Sequence, residues 1–157
     1  MTRLIDKGKS PCGGCDCRPP AAVKAINHLG IAVHSIEDHR NFYENTLGAT
    51  FESVEDVADQ KVKVGFFLVG DVRLELLEPT APDSPIAGFL EKRGEGLHHV
   101  AYTVADIEER LAALKDAGVR LIDETPRDGA HHTRIAFLHP KASHGVLTEL
   151  CEPGSEV

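Results

Sequence analysis

The sequence has no excess of basic charge: 17 Lys and Arg against 25 Asp and Glu leave a formal net charge of −8. No basic stripe is available to neutralise phosphates, which argues against a nucleic-acid partner. It also lacks any apolar run approaching the roughly 18–20 residues that cross a bilayer. No apolar h-region follows the charges near the N-terminus, so neither a membrane span nor a secretory leader is expected, and a cytoplasmic, reducing setting is. Cysteine is scarce outside one stretch, Cys12-Gly-Gly-Cys15-Asp-Cys17. No paired second half supplies a fourth thiolate for a zinc site. Residues 1–24 are therefore read as a flexible extension containing Pro19-Pro20, and Cys151, inside an apolar run, as a buried small hydrophobe. What remains is a 157-residue chain, 41% hydrophobic, long enough for a real core.

Within that chain one pattern occurs twice. His28-Leu-Gly-Ile-Ala-Val-His-Ser35-Ile-Glu-Asp38 recurs as His99-Val-Ala-Tyr-Thr-Val-Ala-Asp106-Ile-Glu-Glu109. Each copy begins as a short apolar run rich in β-branched residues, the pattern of a buried strand. Each then meets an N-cap residue, Ser35 or Asp106, with a carboxylate three positions on, which marks a helix start. Both helices run toward glycine, Gly48 and Gly118, suited to a left-handed C-cap. The copies also end alike: Val72-Arg-Leu-Glu75-Leu-Leu-Glu78-Pro79 matches Val146-Leu-Thr-Glu149-Leu-Cys-Glu152-Pro153. Strand-like runs at 49–54 and 62–69, and at 120–124 and 134–139, fill the space between helix and final strand. The expectation is an α+β fold of two tandem βαβββ modules, residues 25–79 and 97–153. A linker over 80–96 holds a short helix that starts at Ser84-Pro85 and ends near Gly94, and residues 154–157 form a tail.

The repeat puts His28 and His99 at the start of equivalent strands, and Glu75 and Glu149 at equivalent places on the closing strands. Taken singly, a histidine near a strand start is usually solvent-facing, and a glutamate on a strand can sit on a solvated face. Four positions related by one repeat are harder to dismiss. If the modules pack side by side, two imidazoles and two carboxylates converge. That set suits a divalent cation and balances its charge, leaving positions open for substrate oxygens and for stabilising an enolate. Cobalt, manganese, zinc, nickel and magnesium are all compatible with the set. Strand alternation allows only one of His98 and His99 to point into such a site, and the repeat selects His99. His34, His39, His139 and His144 are expected at the surface or in turns.

These residues resemble the glyoxalase/vicinal oxygen chelate superfamily, whose paired βαβββ modules form a curved mixed sheet around a metal. Within it the chain is most similar to the methylmalonyl-CoA epimerase family, over roughly residues 25–153. The likeness rests on Asn27-His-Leu-Gly-Ile-Ala-Val33, Leu74-Glu-Leu-Leu-Glu-Pro79, Asp83-Ser-Pro-Ile-Ala-Gly-Phe-Leu90 and Gly94-Glu-Gly-Leu-His-His-Val100. Phe137-Leu-His-Pro-Lys141 and Gly145-Val-Leu-Thr-Glu-Leu150 complete it. The resemblance implies interconversion of (R)- and (S)-methylmalonyl-CoA through an enolate stabilised by one divalent metal ion on His28, Glu75, His99 and Glu149. It implies an acyl-CoA substrate and a homodimer. Glu149 is the first candidate base. Some relatives carry a second glutamate where this chain has Val64, so Glu75 is the substitute candidate for the opposite face. Lys141, Ser143 and His144 are candidates for acyl-CoA contacts, and Gly129-Ala-His131-His132 resembles a family loop usually richer in glycine. A glyoxalase I, or a metal-free ligand-binding module of the same fold, are the alternatives.

Overall fold

The computed structural model describes residues 23–155; Cys12, Cys15 and Cys17 lie outside the described residues. The first module runs β1 (Ala25–Ala32), α1 (Ile36–Asn41), β2 (Thr50–Val57), β3 (Val62–Val69), β4 (Val72–Pro79). The linker helix α2 (Pro85–Arg93) follows, and then β5 (Gly96–Thr103), α3 (Ile107–Asp116), β6 (Arg127–Asp128), β7 (Arg134–Leu138) and β8 (Thr148–Glu152). All strands join one mixed sheet of eight, ordered β2-β3-β4-β1-β5-β8-β7-β6. β1 runs parallel to β4 and β5 parallel to β8. The modules meet where β1 pairs antiparallel with β5, so the pseudo-twofold axis passes through that seam. None of the described helices is long and apolar enough to cross a membrane.

Alternation along the strands sends side chains to two faces. On one face α1 covers a cluster of Val33, Ile36, Ala49, Phe67 and Leu76, and α3 covers the counterpart of Ile107, Leu111, Ala136, Leu138 and Leu150. Val62, Val64, Phe66 and Leu77 point to the other face and pack with Ile86 and Leu90 of α2. That second face is the concave wall of the cavity described below.

The helix starts follow the sequence. Ser35 caps α1, accepting from the Asp38 N–H, and Asp106 caps α3, accepting from Glu109. Ser84 caps α2 with Pro85 in the first turn. The last glutamate of each closing strand adds a second tether: Glu78 Oε2 accepts from the Ile36 N–H at 2.9 Å, and Glu152 Oε2 from Ile107 at 2.7 Å. A carboxylate at a helix N-terminus satisfies an otherwise unpaired donor and complements the helix dipole. Gly48 and Gly118 take positive φ, 79° and 76°.

One expected strand does not form. Residues 120–124 contribute only an isolated bridge, Leu121 to Leu138. The N–H groups of Ile122 and Asp123 both converge on the Phe137 carbonyl, and Asp123 Oδ2 accepts from the Phe137 N–H at 2.8 Å. A side-chain carboxylate thus takes the place of a ladder carbonyl and ends the pairing, and the two-residue β6 supplies the module's missing strand further on.

Candidate metal centre

Six polar or charged residues are buried among those described: His28, Glu75, Ser84, His99, Thr148 and Glu149. Four of them are the positions that the repeat related, and all four line one cavity of about 590 Å³ on the concave face. Burying such groups is costly unless each finds a partner. Here they find one another across the seam. The Nε2 atoms of His28 and His99 stand 3.1 Å apart, and Glu149 Oε2 lies 3.0 Å from His99 Nε2 and 3.6 Å from His28 Nε2. His28, His99 and Glu149 form the group whose donor atoms all fall within 4.8 Å of one another. Glu75 stands beside the group, its Oε1 3.4 Å from His28 Nδ1.

Electrostatics follow from burial and proximity. Burial works against charge on His28, but its hydrogen bond with Glu149 and the nearby charges of Glu75 and Glu149 raise its pKa above the usual imidazole value. Burial pushes the Glu75 carboxyl up. It also opposes ionisation of Glu149, yet hydrogen bonds with His28 and His99 outweigh it and bring that carboxyl down to about 2. An anionic carboxylate facing two imidazole nitrogens at these distances fits a divalent cation. Each edge of the triangle lets its corners reach an ion at the roughly 2.0–2.2 Å typical of Zn–N and Zn–O bonds. The His99 ring lies against Gly30 of β1, where a Cβ would fall 2.2 Å from its Cε1. The glycine gives the ring its room.

His98 departs from the expectation set by alternation. It lines the same cavity as His99, and its Nδ1 is 2.9 Å from His99 Nδ1. Strand alternation fails there because β5 is bulged: Gly30 faces His99 and Ile31 faces Leu97, leaving His98 without a partner. A bulge turns consecutive side chains toward one side. Asn27, noted in the sequence only as part of a family motif, also lines the cavity. The signal that marks it is a polar residue immediately before the cavity histidine in both copies of the repeat.

Val64 is buried on β3 and lines the cavity, so the wall is aliphatic at this position. Cys151 is buried as expected, but it shares the Glu149 face and lines the cavity, and burial pushes its thiol up to about 12. His131 and His132 both take left-handed backbone, φ 54° and 57°, which explains why small residues suit that loop. The His131 ring packs edge-on against Phe66, centroids 4.2 Å apart. Lys141, Ser143 and His144 do not line the cavity. They sit in and just after a 3-10 turn, Pro140–Ser143, beside a second cleft of about 550 Å³ walled by Phe89, Pro140 and Val146. The two clefts share His98, His99 and Pro85.

Two βαβββ modules that meet at such a cluster define a class, and the comparisons agree with it. Residues 27–137 match the profile of the Glyoxalase/Bleomycin resistance protein/Dioxygenase superfamily, and the chain belongs to that superfamily. It is 54% identical over 128 residues to the Bacillus subtilis protein YqjC, covering 82% of this chain and 91% of that one. It is 43% identical over 127 residues to an ethylmalonyl-CoA/methylmalonyl-CoA epimerase of Cereibacter sphaeroides, covering 80% of this chain and 95% of the relative. A solved methylmalonyl-CoA epimerase in complex with methylmalonyl-CoA and NH4+ superposes with a TM-score of 0.82 at 38% identity, covering 85% of this chain and 97% of the other.

Proposed function

We propose that this chain epimerises methylmalonyl-CoA, interconverting its (R) and (S) forms by removing the α-proton on one face and returning it on the other. One observation carries the reading: Glu75 and Glu149 are the buried carboxylates among the described residues, and both line the cavity that holds His28 and His99. The similarity to epimerases of known substrate supplies the reaction.

His28, His99 and Glu149, with Glu75 as the fourth, are the proposed ligands of one divalent ion. Bound there, the ion would supply Lewis acidity that lowers the pKa of a proton between thioester and carboxylate. The protein's own part is proton handling and exclusion of water. Glu149 is held ionised and is the base for one face. Epimerisation needs an acid/base group on each face. Glu75, kept more basic by burial and carried on β4 across the seam, serves the other. Val64, Leu77 and Ile86 make the wall around them apolar, where a small alkyl branch such as methyl or ethyl fits. The adjoining cleft gives the CoA arm a route past Phe89 and Val146. The proposal includes the homodimer implied by the family, and a cytoplasmic setting.

The test is a turnover assay with methylmalonyl-CoA and ethylmalonyl-CoA before chelation, after it, and after metal add-back. Activity that disappears with the metal and returns with it is the expected result. Full activity in the chelated protein would overturn the metal assignment. Activity only with the hemithioacetal of methylglyoxal and glutathione would overturn the substrate.

A further inference from the structure

The seam between the modules contains two irregularities that the repeat relates to each other. Pairing of β1 with β5 runs Ile26 to Tyr102 and then His28 to Ala101, so Asn27 is skipped on β1. At the other end of the seam His98 is skipped on β5. Asn27 and His98 occupy the same place in the two copies, one residue before each ligand histidine. In both, the bulge turns the preceding side chain onto the ligand's own face. In both, that side chain meets the Nδ1 of the following imidazole: Asn27 Oδ1 at 2.8 Å from His28 Nδ1, and His98 Nδ1 at 2.9 Å from His99 Nδ1.

The chemistry of the Asn27 contact has a direction. The Asn27 amide nitrogen donates to Thr103 Oγ1 at 3.1 Å, which aims its oxygen at His28. An amide oxygen only accepts, so His28 Nδ1 carries a hydrogen and Nε2 is the atom left for a cation. That Nε2 is the atom facing His99 and Glu149. On the other side Phe89 of α2 packs edge-on against the His98 ring, centroids 4.9 Å apart, and holds it against His99. A His98 Nδ1 that accepts leaves His99 with its Nε2 facing the same centre. Outer partners of this kind fix both the tautomer and the ring orientation of a ligand histidine.

We infer that Asn27 and His98 are paired positioning residues, placed by a duplicated β-bulge, that commit the Nε2 atoms of His28 and His99 to the cation. The inference rests on the metal reading above. It adds to that reading which residues set the ligand atoms, and it predicts that the two outer partners are exchangeable. Asparagine presents its Oδ1 at the distance from the backbone where histidine presents Nδ1, so each module's partner should serve in the other.

The test uses the full chain, with Co2+ affinity measured by competition against a chelating dye and the Co2+ absorption spectrum recorded alongside. Asn27→Leu and His98→Phe keep bulk and remove the acceptor. Each is expected to weaken Co2+ binding roughly 10- to 100-fold and to change the spectrum. Asn27→His and His98→Asn should bind Co2+ within a fewfold of wild type. Unchanged affinity and spectrum in the acceptor-free variants, beside loss of binding in His28→Ala, would overturn the inference while leaving the metal reading intact. A wild-type chain that binds no Co2+, Zn2+ or Mn2+ overturns both. A measurement free of folding artefacts is the ring 15N–1H spectrum of the Zn2+-loaded wild type. A hydrogen on Nδ1 is expected, and a hydrogen on Nε2 would refute the tautomer assignment.

Discussion

Acid should unfold the metal-free protein partly through Glu149. The residue is 3% exposed, and its carboxyl is drawn against the effect of burial from the ordinary 4.5 to about 2 by the two histidines. In the unfolded chain the same group takes up its proton near the ordinary value. Throughout that interval the unfolded state therefore binds more protons than the folded one, and stability falls as pH drops from 4.5 toward 2. One pKa unit corresponds to about 1.4 kcal/mol, so the whole interval carries about 3 kcal/mol from this group. Glu149→Gln removes the titrating proton and with it this contribution to the slope. Urea unfolding of both proteins, stripped of metal and compared from about pH 6 to about pH 3, isolates it. By about pH 3 the wild type should have lost roughly 2 kcal/mol more than the variant. Equal acid losses in the two proteins would refute the argument that Glu149 is held ionised by His28 and His99.

Three further outcomes are expected. Glu75→Gln should slow deuterium wash-in from one stereoisomer of methylmalonyl-CoA by about 10²- to 10⁴-fold, the usual worth of a general acid/base, with a smaller effect on the other; equal losses from both, with metal binding unchanged, would count against a one-face role. Metal affinity should fall as pH is lowered, because the raised pKa of His28 lets protons compete for a ligand atom. The slope is about tenfold per pH unit for each proton displaced, and titration calorimetry in buffers of different ionisation heat counts those protons; a flat profile contradicts the raised value. Phe66 is fully buried under the His131 ring, so Phe66→Ala should cost about 3–5 kcal/mol in urea unfolding, and a loss below about 1 kcal/mol would show that the concave wall collapses around the gap.

The architecture was largely readable from the chain because its signals are duplicated. Ser35 and Asp106, Gly48 and Gly118, and the two Leu-containing closing strands each confirm a partner elsewhere, so a weak local pattern is seen twice. The ligand-type residues were readable for the same reason. What could not be read depends on registration between strands distant in sequence. Alternation was a sound rule for β5 and still misdirected His98, because the bulge exists only in the pairing with β1. The 120–124 run has strand-like composition, but Asp123 takes the Phe137 N–H that a further strand would have used. The second glutamate of each closing strand, Glu78 or Glu152, gave no hint of its role, since the helix start it holds lies 42 or 45 residues away.

The duplicated placement of the two carboxylates bears on energetics as well as descent. Stereoisomers that differ in the hand of one acidic carbon have almost equal free energies, so forward and reverse efficiencies must nearly match for any catalyst of their exchange. A cleft favouring one hand strongly would stall with it bound. The repeat sets Glu75 and Glu149 on matching closing strands on either side of the seam, so a carboxylate is available to each hand even though one is raised by burial and the other held low.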